Sequence, residues 1–164
     1  MLYLLDANML IDAARDYYPV KRVPQFWEWV LVQAKAGRIK LPDEIHGEVI
    51  EGRGDDLVDW IKLKDVRWSL VLDEEPDIEL VNRVVANGYA PDLTEAELEA
   101  VGNDPFLIGY ALVEPDTRCV VTTERSKPRK QRQNRKIPDV CLDLGVRSID
   151  TFQLIRDLDF NASG

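Results

Sequence analysis

The chain has 164 residues, 45% of them hydrophobic, and a formal net charge of −9. That is enough apolar side chain for one buried core and too much for a disordered segment. No apolar run approaches the roughly 18–20 residues a membrane helix needs, and no basic region precedes the apolar N-terminus, so the reading is a cytoplasmic protein of one domain spanning residues 1–164.

Leu2–Leu5 is four consecutive large apolar residues, the pattern of a strand buried on both faces. Met9 to Arg15 reads as a short helix. Pro24 opens another, in which Phe26, Trp27, Val30, Leu31 and Ala34 recur at helical spacing and Gly37 stops the run. Residues 38–42 form a short strand ending at Pro42, followed by a helix through Ile45, Val49 and Ile50 to Gly52. Residues 55–64 are an amphipathic helix, and the partly alternating 66–72 reads as an added strand. Residues 76–88 are helical, and 94–102 carry a Thr-x-x-Glu capping signature. Asp104 caps the apolar helix 105–113, with Pro105 at its first position. Cys119 to Thr123 is a buried strand, 137–144 a helix, 146–149 a last strand, and a closing helix includes Phe152, Leu154 and Ile155. Apolar strands separated by helices predict an α/β fold with a mainly parallel sheet.

Cys119 and Cys141 lie in apolar contexts and read as buried free thiols. With His46 the only histidine, zinc chemistry and a Ser–His or Cys–His nucleophile are poorly supported. The charge is unevenly spread. From Arg125 to Lys136, seven of twelve residues are basic (Arg125, Lys127, Arg129, Lys130, Arg132, Arg135 and Lys136) and none is acidic; the rest of the chain carries −16. An acidic body with one basic loop is compatible with a phosphate backbone at that loop, with a solvated loop, or with a surface for an acidic partner.

Sites in parallel sheets form at the carboxyl ends of strands, and Asp6 follows the first strand directly. Glu48 lies in the helix after the second, Asp104 opens the most apolar helix, and Glu124 follows the strand ending Thr122-Thr123. Each acid alone has an ordinary reading: a turn, a solvated helix position, a cap, the start of a charged loop. Together they can form one all-oxygen cluster, whose mutual repulsion a cation would relieve. Oxygen ligands suit Mg²⁺ or Mn²⁺, which can activate water and neutralise charge on a phosphodiester. Asp12, deeper in its helix, is expected to face solvent or make a local contact.

The motifs YLLDANMLID (3–12), PDEIHGEVIEG (42–52), Asp104 with Leu107, Ile108, Tyr110 and Ala111, and VVTTE (120–124) resemble those of PIN domains, metal-dependent ribonucleases that include VapC-type toxins. YYP at 17–19, FWEW at 26–29, the Trp60 helix and KIPDVC at 136–141 bring the chain near a PIN-like branch of unassigned role. The resemblance implies a three-layer α/β/α fold around four to five strands, with Asp6, Glu48, Asp104 and Glu124 as metal ligands and catalytic residues. It further implies Mg²⁺ or Mn²⁺ as cofactor, and RNA, a cognate antitoxin and a second copy of the chain as partners. Glu124 is one methylene longer than the Asp common in that position. Asn8, Thr122 and Asp139 are candidates for supporting a ligand or touching substrate, Asp139 having a helix-capping reading as well, and the basic loop for holding RNA. Two other readings stand beside this one: a catalytically silent PIN-like module that binds RNA or protein, and a haloacid-dehalogenase-like phosphatase with Asp6 as nucleophile. The phosphatase wants an acid where Asn8 stands.

Overall fold

The computed structural model describes residues 1–52 and 55–162. Among them four strands form the sheet: β1 (Leu2–Leu5), β2 (Ile39–Lys40), β3 (Arg118–Val121) and β4 (Arg147–Ile149). Their order is β2-β1-β3-β4, and every pairing is parallel. Tyr3, Leu4 and Leu5 are all buried, as is the whole of β3. Successive strand residues face opposite sides, so both faces must be covered, and the result is the expected three-layer α/β/α fold.

The covering helices are α1 (Ala7–Asp12), α2 (Pro24–Lys35), α3 (Asp43–Ile50), α4 (Asp56–Lys62), α5 (Lys64–Leu70), α6 (Ile78–Arg83), α7 (Glu95–Val101), α8 (Asp104–Leu112), α9 (Ile137–Leu144) and α10 (Thr151–Asp157). α8 is buried at Pro105 and at every position from Leu107 to Leu112, and packs against β1, β3, α6 and α9. That central seat is why it is apolar on all sides. The capping box of α7 is present, with Thr94 and Glu97 exchanging bonds. None of the helices among the described residues is long and apolar enough to cross a membrane.

Two expectations change. Residues 66–72 are not a strand: α5 runs to Leu70, and only Val71 bridges to Leu41 at the sheet edge. A strand would place Trp68 on one face with Val66 and Leu70, whereas Trp68 is 86% exposed and those two are buried. The helices after β1 and through residues 78–89 are also not plain α-helices. α1 and α6 each run into a π-helical turn, Ala13–Tyr17 and Val84–Tyr89. Tyr18 N donates to Ala13 O at 2.6 Å, and Ala90 N to Val85 O at 3.0 Å, closing the wider turns. Single π turns of this kind are frequent at functional sites. The second turn packs closely on α9, where a Cβ on Gly88 would lie 2.6 Å from Val140 Cγ1.

Most of the aromatic signature is core. Tyr18 stacks on Phe26 with centroids 4.3 Å apart, Trp27 meets Trp60 edge-on at 4.9 Å, and Trp27 Nε1 donates to the Tyr18 carbonyl at 2.7 Å. Tyr17 is the exception and stays exposed. Cys119 and Cys141 are buried free thiols, as expected.

Candidate carboxylate centre

The parallel register aligns the strand ends. Leu5 pairs with Val121 and Val121 with Ile149, so Asp6, Thr122 and Asp150 follow at one carboxyl edge. Asp6 N donates to Val121 O at 2.9 Å and Thr122 N to Ile149 O at 3.0 Å, which continues the sheet one residue into the site. Asp6 is thereby held at 2% exposure, and its Oδ2 accepts from the equally buried Thr122 Oγ1 at 2.9 Å. That hydroxyl also accepts from Glu124 N at 3.1 Å, tying the first acid to the fourth.

Burial pushes the Asp6 carboxyl up to about 6; the Thr122 hydrogen bond opposes this, and the charges of Glu124 and Glu48 add to it. Asp104 is driven higher, to about 8, by burial first and then by the charges of Asp6, Glu124 and Glu48, with Lys136 pulling the other way. Glu48 is raised chiefly by burial and drawn back by Asn103 beside it. The 102–104 turn lies close, since a Cβ on Gly102 would stand 3.9 Å from Glu48 Oε1.

The fold therefore brings the four expected acids, from four separate elements, into one electrostatic neighbourhood. It does not bring them to coordination distance: among the described residues, no three His, Cys, Asp or Glu side chains converge closely enough to hold a metal ion as they stand. The Asp104 assignment also shifts by one position. Asn103 occupies the N-cap, and Asp104 opens the first turn of α8. Asp104 thus has no capping duty, and its carboxylate makes no hydrogen bond among the described residues. Glu124 Oε2 accepts from Ile137 N at 2.7 Å, holding the start of α9 against the post-β3 segment.

The supporting residues divide. Thr122 is at the centre. Asn8 is exposed in the first turn of α1 and makes no hydrogen bond to these carboxylates among the described residues. Asp139, buried in α9, accepts from Ser126 Oγ and from Lys127 N at 2.8 Å, so it anchors the base of the basic loop. Asp12 accepts from Thr123 Oγ1 at 2.6 Å and pairs with Arg15 at 2.9 Å. Within the loop, Arg132 is committed to Asp92 and Glu97, and Arg135 to Asp143 and the Gly88 carbonyl. The loop is thus partly docked on the protein's own acidic body. Arg125, Lys127, Arg129 and Lys130 remain exposed without an ion-pair partner among the described residues.

Tyr89, at the end of the second π turn, gives no signal in the sequence. Its hydroxyl is buried without a hydrogen-bond partner among the described residues, and the charges of Asp104, Glu124 and Asp6 reach it. An unsatisfied hydroxyl costs about 1–3 kcal/mol, and here it stands beside carboxylates that carry excess negative charge. The donor set of Asp6, Glu48, Asp104 and Glu124 is all oxygen, the chemistry that suits a hard divalent cation, although among the described residues these side chains do not close around one as they stand.

No curated protein and no solved structure matches the chain. The model of one family, described as "Domain of unknown function (DUF4411)", matches residues 3–162, and the chain belongs to that family.

Proposed function

We propose that the carboxylate centre binds Mg²⁺ or Mn²⁺ and that the protein is a PIN-type endoribonuclease, acting as the toxin of a type II toxin–antitoxin pair. The observation that supports this most is the gathering of Asp6, Glu48, Asp104 and Glu124 at the carboxyl edge of a parallel sheet, where burial first and the neighbouring acids second oppose ionisation of Asp6 and Asp104. A bound divalent cation supplies polarisation of a phosphodiester oxygen and compensation of the carboxylate charge. The chain's own residues do the rest. Thr122 fixes the Asp6 carboxylate through its hydroxyl, and Glu124 is set by the same hydroxyl at its backbone and by Ile137 N at its side chain. The basic loop starts beside Glu124 and ends at Lys136 near Asp104, so its free bases can hold an RNA backbone across the centre. The acidic body suits an antitoxin that presents a basic segment, and a homodimer is the expected assembly.

Calorimetric titration with Mn²⁺ and cleavage of a labelled RNA test the reading together. Wild type should bind Mn²⁺ and cleave; Asp6→Asn and Asp104→Asn should fold and do neither. Equal cleavage by wild type and both variants would mean a contaminating nuclease and would sink the assignment. The commitment of Glu124 to Ile137 N favours one rival, a silent module that binds RNA or protein. Absence of Mn²⁺ binding by wild type would select it.

A further inference from the structure

Glu124 lines a second feature, a cleft of about 430 Å³ between the end of α1 with its π turn and the start of α10. Two rings stand on it, Tyr17 at 53% exposure and Phe152 at 44%, packed edge to face with centroids 5.3 Å apart. The neighbouring Tyr18, by contrast, is half-buried and stacked on Phe26 against the core. Thr151 lines the same cleft at 5% exposure, and its Oγ1 has no hydrogen-bond partner among the described residues. Arg125 lies on the lining next to Glu124.

We infer that this cleft seats one unpaired base of an RNA strand whose phosphate lies at the carboxylate centre. The inference rests on the nuclease reading above. Aromatic rings bind bases by stacking, worth about 1–3 kcal/mol per base. The remaining lining argues for a base over a phosphate. Asp12, Asp16 and Asp150 repel an anion, whereas their oxygens can accept from the exocyclic amines on a base edge. These acids are already in place: Asp12 and Asp16 pair with Arg15, and Asp150 accepts from Gln153 N at 2.8 Å. Thr151 Oγ1 is uncommitted but covered as the cleft stands, and a base edge meets its donor and acceptor once the side chain turns outward. Arg125, the one cation on the lining among the described residues, directly follows Glu124 in the chain and suits the phosphate that joins cleft and centre. A base can enter only if it is unstacked, so the cleft selects single-stranded segments over duplex.

The test measures anisotropy of a fluorescein-labelled single-stranded RNA, and of its duplex, with Asp6→Asn protein, so that binding is read without cleavage. The single strand should bind more tightly than the duplex. Phe152→Ala and Tyr17→Ala should each weaken it by about 5–150-fold, by the stacking energies above. Phe152→Tyr should restore binding and Phe152→Leu should not. Both rings are exposed, so melting temperature should stay within a few degrees and serves as the folding control. Binding indifferent to both alanine variants, rescue by Phe152→Leu, or no binding of the single strand overturns the inference. If wild type still cleaves RNA in those cases, the nuclease reading survives without the base pocket. Loss of binding in Phe152→Ala, with no cleavage by wild type in any divalent metal, leaves the pocket standing and removes the nuclease.

Discussion

Replacing Asp104 with Asn should stabilise the metal-free protein, and the gain should depend on pH in a defined way. The folded carboxyl titrates at about 8 against an ordinary value of 3.8. A raised folded pKa means that the folded state binds the proton more tightly than the unfolded chain does. The cost is therefore absent below about pH 4, grows as pH rises, and levels off above about pH 8. At about pH 7 folding must protonate a group that ionises some three units lower when unfolded, which costs about 4 kcal/mol; at about pH 4.5 the cost is about 1 kcal/mol. Asn is neutral and nearly isosteric with the protonated acid, so it avoids the cost. Urea denaturation in a chelating buffer should show Asp104→Asn more stable than wild type by about 4 kcal/mol at about pH 7, shrinking to about 1 kcal/mol at about pH 4.5. In melting temperature the larger figure is about 8–16 °C for a chain of this size. Saturating Mn²⁺ should reverse the ranking, because the wild type alone keeps the ligand. A variant less stable than wild type at about pH 7, or one whose gain does not change with pH, would refute the burial of Asp104 among neighbouring charges on which the centre rests.

Gly88→Ala should lower stability by about 1–3 kcal/mol, because its Cβ would sit 2.6 Å from Val140 Cγ1 and push α9 away from the π turn; thermal melting checks this, and an unchanged melting temperature would mean the two elements are not tightly packed. Arg132→Ala should lower the melting temperature only slightly, since Asp92 is exposed and Arg132 and Glu97 are no more than half-buried. It should, however, speed limited tryptic cleavage within 125–136, because the loop loses its anchor to the acidic body. Cleavage at the wild-type rate would show that Asp139 and Arg135 hold the loop alone.

Much of the architecture was written locally. The double-sided burial of Leu2–Leu5, the apolar circumference of α8 and the Thr94–Glu97 capping box each depend on residues within a few positions, and the parallel α/β arrangement follows from their alternation. The four acids could also be named from the chain, because strand ends and helix starts in such a fold converge on one edge. Trp68 marks where this legibility stopped: alternation at 66–72 mimicked a strand, and only the packing of α5 decided which residues face inward. The two π turns left no local signature either, since an i→i+5 turn is selected by what its side chains meet and not by propensity.

By itself, then, the sequence determined which carboxylates lie at the carboxyl edge and that a basic loop runs beside them. Only the tertiary structure decided how readily Asp6 and Asp104 ionise, because desolvation and neighbouring charge are properties of the assembled site. It also decided that Arg132 and Arg135 are spent on the protein itself, and that Tyr89, Thr151, Tyr17 and Phe152 stand at or beside the centre. Those residues come from separate turns and helices, and their proximity exists only after the chain has folded.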